Sequence, residues 1–307
     1  HNICNENCKF ILGTAQLGLN YGITNTNLKP SLSQALSILN KAYNNKIYMF
    51  DTAQAYGDSE SKLGIFNRNK SNTTIITKIH IVDNISIKSF VSKSIANLQC
   101  KSLDVLLLHD YTYLNNKMVI EKLLKLQRQN LIQNLGVSVY NVEEAIDSLS
   151  KPYIKYLQIP VNFLDQQWNN TTFQDLIKKR NDVFIYVRSI FLQGILVNDI
   201  IKWPKITNID NQIYFDKITK LVEKYQLKNK VNLCVSYIKS LNWINGVVFG
   251  VDNEIQLIEN IALFKSSRTL NTKELNHIQN IFKSVPVELT NPKFWKKNIK
   301  TIINSVI

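Results

Sequence analysis

Short apolar runs and longer amphipathic segments alternate along the chain. Eight runs of four or five residues are rich in β-branched and aliphatic side chains and predict strands. They are Phe10–Thr14, Tyr48–Asp51, Thr74–Lys78, Val105–His109, Leu135–Ser138, Leu157–Pro160, Val183–Val187 and Val247–Val251. Each is nearly continuous in apolar residues rather than alternating, as strands buried on both faces of a parallel sheet are. Between them, apolar positions recur every three or four residues and predict helices over Ser33–Asn44, Ile87–Leu98, Val119–Gln129 and Val142–Leu149. In the third of these, Ile120, Leu123, Leu124 and Leu126 make one face and Lys122, Lys125 and Arg128 the other. Eight such units in succession predict an α/β protein built as a closed (β/α)8 TIM barrel. Residues from about Asn271 predict a C-terminal helical extension, and Val197–Asp210, with Trp203 and Pro204, a long connection after the seventh strand. A doubly wound sheet also alternates, but Gly13 and Gly18 do not complete the G-x-G-x-x-G turn that such a fold uses for dinucleotides.

Composition agrees with one large domain. The chain has 307 residues, 45% of them apolar and 20% charged, enough to fill a barrel core. The barrel is expected over residues 9–307, with 1–8 a disordered terminal segment or a cloning remnant. No apolar run of about 18 residues occurs, so no membrane-spanning helix is predicted, and no basic-then-apolar leader is visible. Cys4, Cys8, Cys100 and Cys234 form neither a C-x-x-C pair nor a dense framework, which argues against zinc and disulfides and for a reducing, cytoplasmic location. The net charge of +14 raises the possibility of nucleic-acid binding. However, the lysines are scattered and the one dense stretch, Lys293, Lys296, Lys297 and Lys300, lies at the chain's end. With no nucleic-acid motif, the charge suits an anionic cofactor or substrate instead. The expected partner is a small molecule, with neither nucleic acid nor membrane, and the assembly a monomer or small homo-oligomer.

In a β/α barrel, the chemistry gathers at the C-terminal ends of the strands. Three consecutive apolar runs end there in a polar residue: Asp51, Lys78 and His109, with Tyr56 in the loop after Asp51. These four suit proton delivery to a carbonyl being reduced. An ordinary phenol, with a pKa near 10, is a weak acid at neutral pH. An adjacent Lys78 ammonium would lower it, Asp51 would hold Lys78, and His109 would donate to the carbonyl oxygen. None of the four supplies a hydride, so a nicotinamide cofactor, NADH or NADPH, is implied. A metal site is not expected: the chain has four histidines, and His1, His80 and His277 lack suitable neighbours.

These stretches carry a family resemblance. Phe50-Asp51-Thr52-Ala53-x-x-Tyr56-Gly57-x-Ser59-Glu60, Thr77-Lys78, Leu108-His109 and Gly13-Thr14-Ala15-Gln16-Leu17-Gly18 resemble signature segments of the aldo-keto reductases, over about Ile11 to Ile261. The resemblance implies an NAD(P)H-dependent reductase with the tetrad Asp51, Tyr56, Lys78 and His109. It further implies that Ser138 and Gln158 contact the nicotinamide carboxamide, although Val139 stands where an Asn is usual. Arg188 takes the place of an aromatic ring that stacks on the nicotinamide. Ser189, Leu192 and Gly194 would bind the pyrophosphate, and Gly250, Asp252, Gln256, Glu259 and Asn260 the adenosine end. No basic residue stands at Gly250, Asp252 or Gln256 to hold a 2′-phosphate, which favours NADH at least as much as NADPH unless Lys265 or Arg268 reaches back.

The family also contains cofactor-binding barrels used for regulation or partner binding, with little turnover, and these remain the alternative. Tyr21, Tyr111, Trp168 and Trp203 fall in loops and are candidates to line a substrate pocket. The Gly-Thr-Ala-Gln-Leu-Gly and Phe-Leu-Gln-Gly stretches resemble a bacterial branch tied to surface-sugar synthesis, implying a sugar-derived carbonyl.

Overall fold

The computed structural model describes residues 8–19, 29–81 and 86–295. Its strands are β1 Lys9–Gly13, β2 Met49–Asp51, β3 Thr74–Ile79, β4 Leu103–Leu108, β5 Ile132–Ser138, β6 Ile154–Pro160, β7 Phe184–Arg188 and β8 Gly246–Gly250. All pair in parallel with their sequence neighbours, and β8 closes on β1, giving a complete barrel. β5 and β6 begin three residues earlier than their apolar runs, because Gln133, Asn134 and Lys155 interrupt the pattern while the backbone ladder continues. His109 lies one residue past β4, though its N–H still donates to the Ile79 carbonyl at 3.0 Å.

The helices that follow β1 to β6 are α1 Leu32–Asn44, α2 Ser59–Asn67, α3 Ile87–Leu98, α4 Lys117–Arg128, α5 Val142–Leu149 and α6 Thr171–Lys179. Polar caps set where several begin. Ser31 and Gln34 form a capping box on α1, and the side chains of Ser86, Asn116, Asn141 and Asn170 accept N–H groups of the first turns that follow them. The connection after β7 is longer than Val197–Asp210, for it includes a full helix, α7 Asn211–Lys224, before α8 Lys230–Ser240. α9 Glu254–Ser266 follows β8, and α10 Thr272–Ile281 begins the extension, whose Ile278 and Phe282 are fully buried. No helix among the described residues is long and apolar enough to cross a membrane.

The core has two parts. A large cluster packs the helices on the barrel's outer face, and a small one (Ile11, Met49, Ile76, Val105, Leu107 and Tyr186) fills the lumen. Cys8, expected outside the domain, belongs to the large cluster and is buried; burial pushes its thiol up to about 12. Cys4 lies outside the described residues. Strand side chains alternate faces, so the residue two positions past a lumen residue also points inward. That step leads from Met49 to Asp51, from Ile76 to Lys78, from Leu107 to His109 and from Tyr186 to Arg188. A polar tier therefore stands on the apolar plug, at the barrel's C-terminal mouth.

Candidate active site

The centre of this tier is a buried ion pair. Lys78 Nζ donates to Asp51 Oδ1 at 2.6 Å and to the Thr52 carbonyl at 2.8 Å, with both charged side chains almost completely enclosed. Asp51 Oδ2 accepts two more bonds across the lumen, from Gln158 Nε2 at 2.9 Å and from the Tyr186 hydroxyl at 2.9 Å. Gln158 and Tyr186 are register partners on β6 and β7, which brings them to the carboxylate together. A buried charge is tolerable only when so satisfied.

Tyr56 sits above this pair. The Lys78 ammonium lies 5.2 Å from the Tyr56 ring centroid, and the His109 ring meets Tyr56 edge-on at 6.2 Å. The Tyr56 loop is braced from beneath. Thr52 Oγ1 donates to Ser59 Oγ, Ser59 Oγ to Thr14, and Thr14 Oγ1 to the Asp51 carbonyl, all at 3.0 Å or less. Glu60, also buried, accepts from Thr77, Ser94 and Asn97. Gly57 has a φ of +56°, and a Cβ there would stand 2.2 Å from the Gly18 carbonyl. Only glycine fits where these two loops touch.

The electrostatics differ from the sequence expectation. Lys78 was expected to lower the phenol of Tyr56; instead burial pushes that phenol well above its ordinary 10.0, the Asp51 charge adds to the rise, and Arg188 opposes it. Lys78 is bound to Asp51 at hydrogen-bond distance, and of the two charges it is that of Asp51 that bears on the phenol. His109 is held down to about 3, by burial first and then by the charges of Lys78, Arg188 and His80. Its imidazole is neutral at physiological pH and keeps one N–H to donate.

Ser138 ends β5, and its hydroxyl lies 3.4 Å from Gln158 Oε1. Val139 is buried, and its carbonyl accepts a long 3.4 Å contact from Arg188. The loop after β7 is tightly wound: Ser189, Leu192, Gln193 and Gly194 have φ of 60°, 47°, 53° and 89°. Past β8, the Asp252 N–H donates to Gln256 Oε1 at 2.8 Å, while Asn253 caps α9 by accepting from the Gln256 N–H. Glu259 and Asn260 follow one turn later on α9. Arg268 is held by Glu274 in a two-pronged ion pair at 2.8 and 2.9 Å, far along the chain from this segment's start.

Among the described residues, the contacts of the candidate pocket aromatics Tyr111, Trp168 and Trp203 lie with residues outside the tetrad. Tyr111 gives its hydroxyl to Asp147 at 2.8 Å. Trp168 and Trp203 are buried, packed on Phe173 and Phe215. Tyr21 lies outside the described residues. The aromatic ring that does stand beside Arg188 is Tyr140, with the guanidinium carbon 4.6 Å from its centroid. Sequence reading missed Tyr140, and it missed Tyr186. The only local signal for Tyr186 was its place two residues before Arg188, on the inward face of β7.

A comparison with family profiles matches residues 9–283 to the Aldo/keto reductase family. Among solved structures, the chain is similar to the aldo-keto reductase AKR11C1 from Bacillus halodurans. Against its holo form the TM-score is 0.73 at 18% identity, covering 92% of this chain and 94% of that one. Against its apo form the TM-score is 0.70 at 20% identity, covering 85% and 90%. A Pseudomonas aeruginosa protein ascribed to the aldo-keto reductases gives a TM-score of 0.61 at 20% identity, covering 84% and 90%. At these identities the likeness to solved structures is one of fold. A comparison with curated protein sequences gives no match.

Proposed function

We propose, from the premise that this chain belongs to the aldo/keto reductase family, that Tyr56 is the proton donor in the reduction of a carbonyl held at the barrel mouth. The protein is an NAD(P)H-dependent oxidoreductase of that family, acting on small-molecule carbonyl compounds. The observation that carries the assignment of Tyr56 is its position over the Lys78–Asp51 pair and edge-on to a neutral His109.

The cofactor's parts find matching chemistry. Ser138 and Gln158 offer a hydroxyl and an amide at neighbouring strand ends, suited to a carboxamide. Arg188, at the end of β7, has a planar guanidinium that would stack on a nicotinamide. The left-handed residues Ser189, Leu192 and Gly194 form a turn of the kind that aims backbone N–H groups at phosphate. Gly250, Asp252, Gln256, Glu259 and Asn260 would take the adenosine end. The bound nicotinamide supplies the hydride. His109 donates to the carbonyl oxygen and orients it, and Tyr56 passes its proton to the same oxygen. Arg188 favours the phenolate left behind, and Asp51, held by three hydrogen bonds from Lys78, Gln158 and Tyr186, fixes Lys78 beneath the ring. An assembled tetrad favours turnover over the alternative of a regulatory barrel.

The finer reading is a sugar-derived carbonyl reduced with NADH at least as well as with NADPH. With Arg268 engaged by Glu274 and Asp252 beside Gln256, support for NADH comes from the lack of a basic residue in the segment just after β8. The test is oxidation of NADH and NADPH, followed by absorbance, with a panel of aldehydes, ketones and keto-sugars. Reduction lost in Tyr56→Phe supports the assignment; a barrel that binds cofactor but turns over none of the panel would overturn it.

A further inference from the structure

Two cations at the barrel mouth share one aromatic ring. The Arg188 guanidinium carbon stands 4.6 Å from the Tyr140 centroid, and Lys293 Nζ stands 4.2 Å from the same centroid. Lys293 comes from the C-terminal extension, more than a hundred residues from Arg188, so the fold has brought the two together. Its turn is fixed: the Lys293 N–H donates to Asn291 Oδ1 at 3.0 Å, and the Trp295 indole to the Leu289 carbonyl at 3.3 Å.

Neither cation forms an ion pair with a carboxylate among the described residues. Asp110, a carboxylate that feels the Lys293 charge, already accepts the Thr112 N–H and hydroxyl at 2.8 and 2.7 Å. Arg188 makes only long contacts among the described residues, at 3.4 Å to Ser189 and to the Val139 carbonyl, so most of its donors are uncommitted. A ring face attracts cations but does not neutralise them. Two like charges over one half-exposed ring therefore focus positive potential on the mouth, and an anion between them would relieve their repulsion. Arg188 continues the inward face of β7 two residues past Tyr186, whose hydroxyl bonds Asp51. It therefore stands on the same polar tier as the reacting groups, and its charge bears on both Tyr56 and His109.

We infer that the carbonyl substrate carries an anionic group, a carboxylate or a phosphate, bound by Lys293 and Arg188 beside Tyr140 while its carbonyl meets Tyr56 and His109. The inference rests on the carbonyl reduction proposed above and narrows its substrate class. The planar guanidinium would serve both ligands, offering a face for stacking and edge donors for the anion. The anion's place is set by Lys293, which the C-terminal extension brings to the Tyr140 ring.

Matched carbonyl pairs test this and distinguish the two anions: succinic semialdehyde against butanal, and glyceraldehyde 3-phosphate against glyceraldehyde. In at least one pair kcat/KM should favour the anionic member by about tenfold or more, the size of one hydrogen bond to a charged group. That preference should shrink about tenfold in Lys293→Met, persist in Lys293→Arg, and weaken with added salt. Equal kcat/KM within both pairs, or a preference untouched in Lys293→Met, overturns the inference while leaving carbonyl reduction intact. If no carbonyl is reduced at all, the reaction assigned to the site fails separately. Calorimetric titration of the cofactor-loaded protein with succinate and with inorganic phosphate then still decides. Binding of either that weakens about tenfold in Lys293→Met supports the anion site, and binding of neither overturns it.

Discussion

The Tyr186 hydroxyl donates across the barrel lumen to Asp51 Oδ2 at 2.9 Å, from a ring with no solvent exposure. It rises from the apolar plug to hold the carboxylate that in turn holds Lys78. Tyr186→Phe should therefore cost about 1–3 kcal/mol of stability by leaving that oxygen a donor short. It should also lower kcat by less than Tyr56→Phe does. Urea unfolding and steady-state kinetics on the same variant check both. A protein of unchanged stability and rate would mean that Gln158 and Lys78 suffice to hold Asp51.

The Asp51–Lys78 pair should behave as a unit. Lys78→Met alone strands a buried carboxylate and should cost about 3–5 kcal/mol. The double variant Asp51→Asn/Lys78→Met should be clearly more stable than the sum of the two single losses predicts. A double-mutant cycle by chemical denaturation reads this coupling directly. Additive losses would show that the two charges do not depend on each other.

Tyr56→Phe should lower kcat by about 10²–10⁴, the usual worth of general acid catalysis, with cofactor affinity by fluorescence titration almost unchanged. Burial raises the wild-type phenol above 10.0, so any loss of rate caused by its ionisation should begin only above that pH. A basic limb near neutrality that vanishes in Tyr56→Phe would contradict this electrostatic account.

His109 links pH to stability on the acid side. Its folded pKa is about 3 against an ordinary 6.5, so below 6.5 the unfolded chain takes up a proton that the folded protein refuses. Stability should fall as pH drops from about 6.5 towards 3, at up to about 1.4 kcal/mol per unit from this residue. His109→Asn should flatten that part of the profile. Denaturation midpoints measured from pH 7 to pH 4 in both proteins make the comparison.

The cofactor preference follows from missing charges. Losing one or two hydrogen bonds from basic side chains to a 2′-phosphate costs about 10- to 100-fold in affinity. NADH should thus match or exceed NADPH in kcat/KM on a common carbonyl. A preference for NADPH above about tenfold would count against the reading of Asp252 and Gln256.

The barrel was legible in the sequence because its cause is local. A strand buried on both faces must be apolar along its length, and a helix covering it must repeat its apolar residues at helical spacing. Eight repetitions leave little choice of architecture. The tetrad was legible for a related reason: Asp51, Lys78 and His109 each close an apolar run, and strand ends on one side of a barrel converge. What lies across the lumen is not local. That Tyr186 and Gln158 meet Asp51 depends on how far each strand is staggered when the sheet closes, which no window of sequence encodes. Trp168 and Trp203 looked like pocket residues from their loops, yet both turn inward, because an indole in a loop is stabilised by whatever apolar surface the tertiary fold offers. The direction of Tyr56's shift also had to await the fold. Sequence supplies the charges near the phenol, but their balance against desolvation depends on depth and on pairing, and here burial dominates and the Asp51 charge adds to it. The meeting of Arg188 and Lys293 over Tyr140 is of the same kind: three residues from three distant segments, joined only when the C-terminal extension folds back onto the barrel.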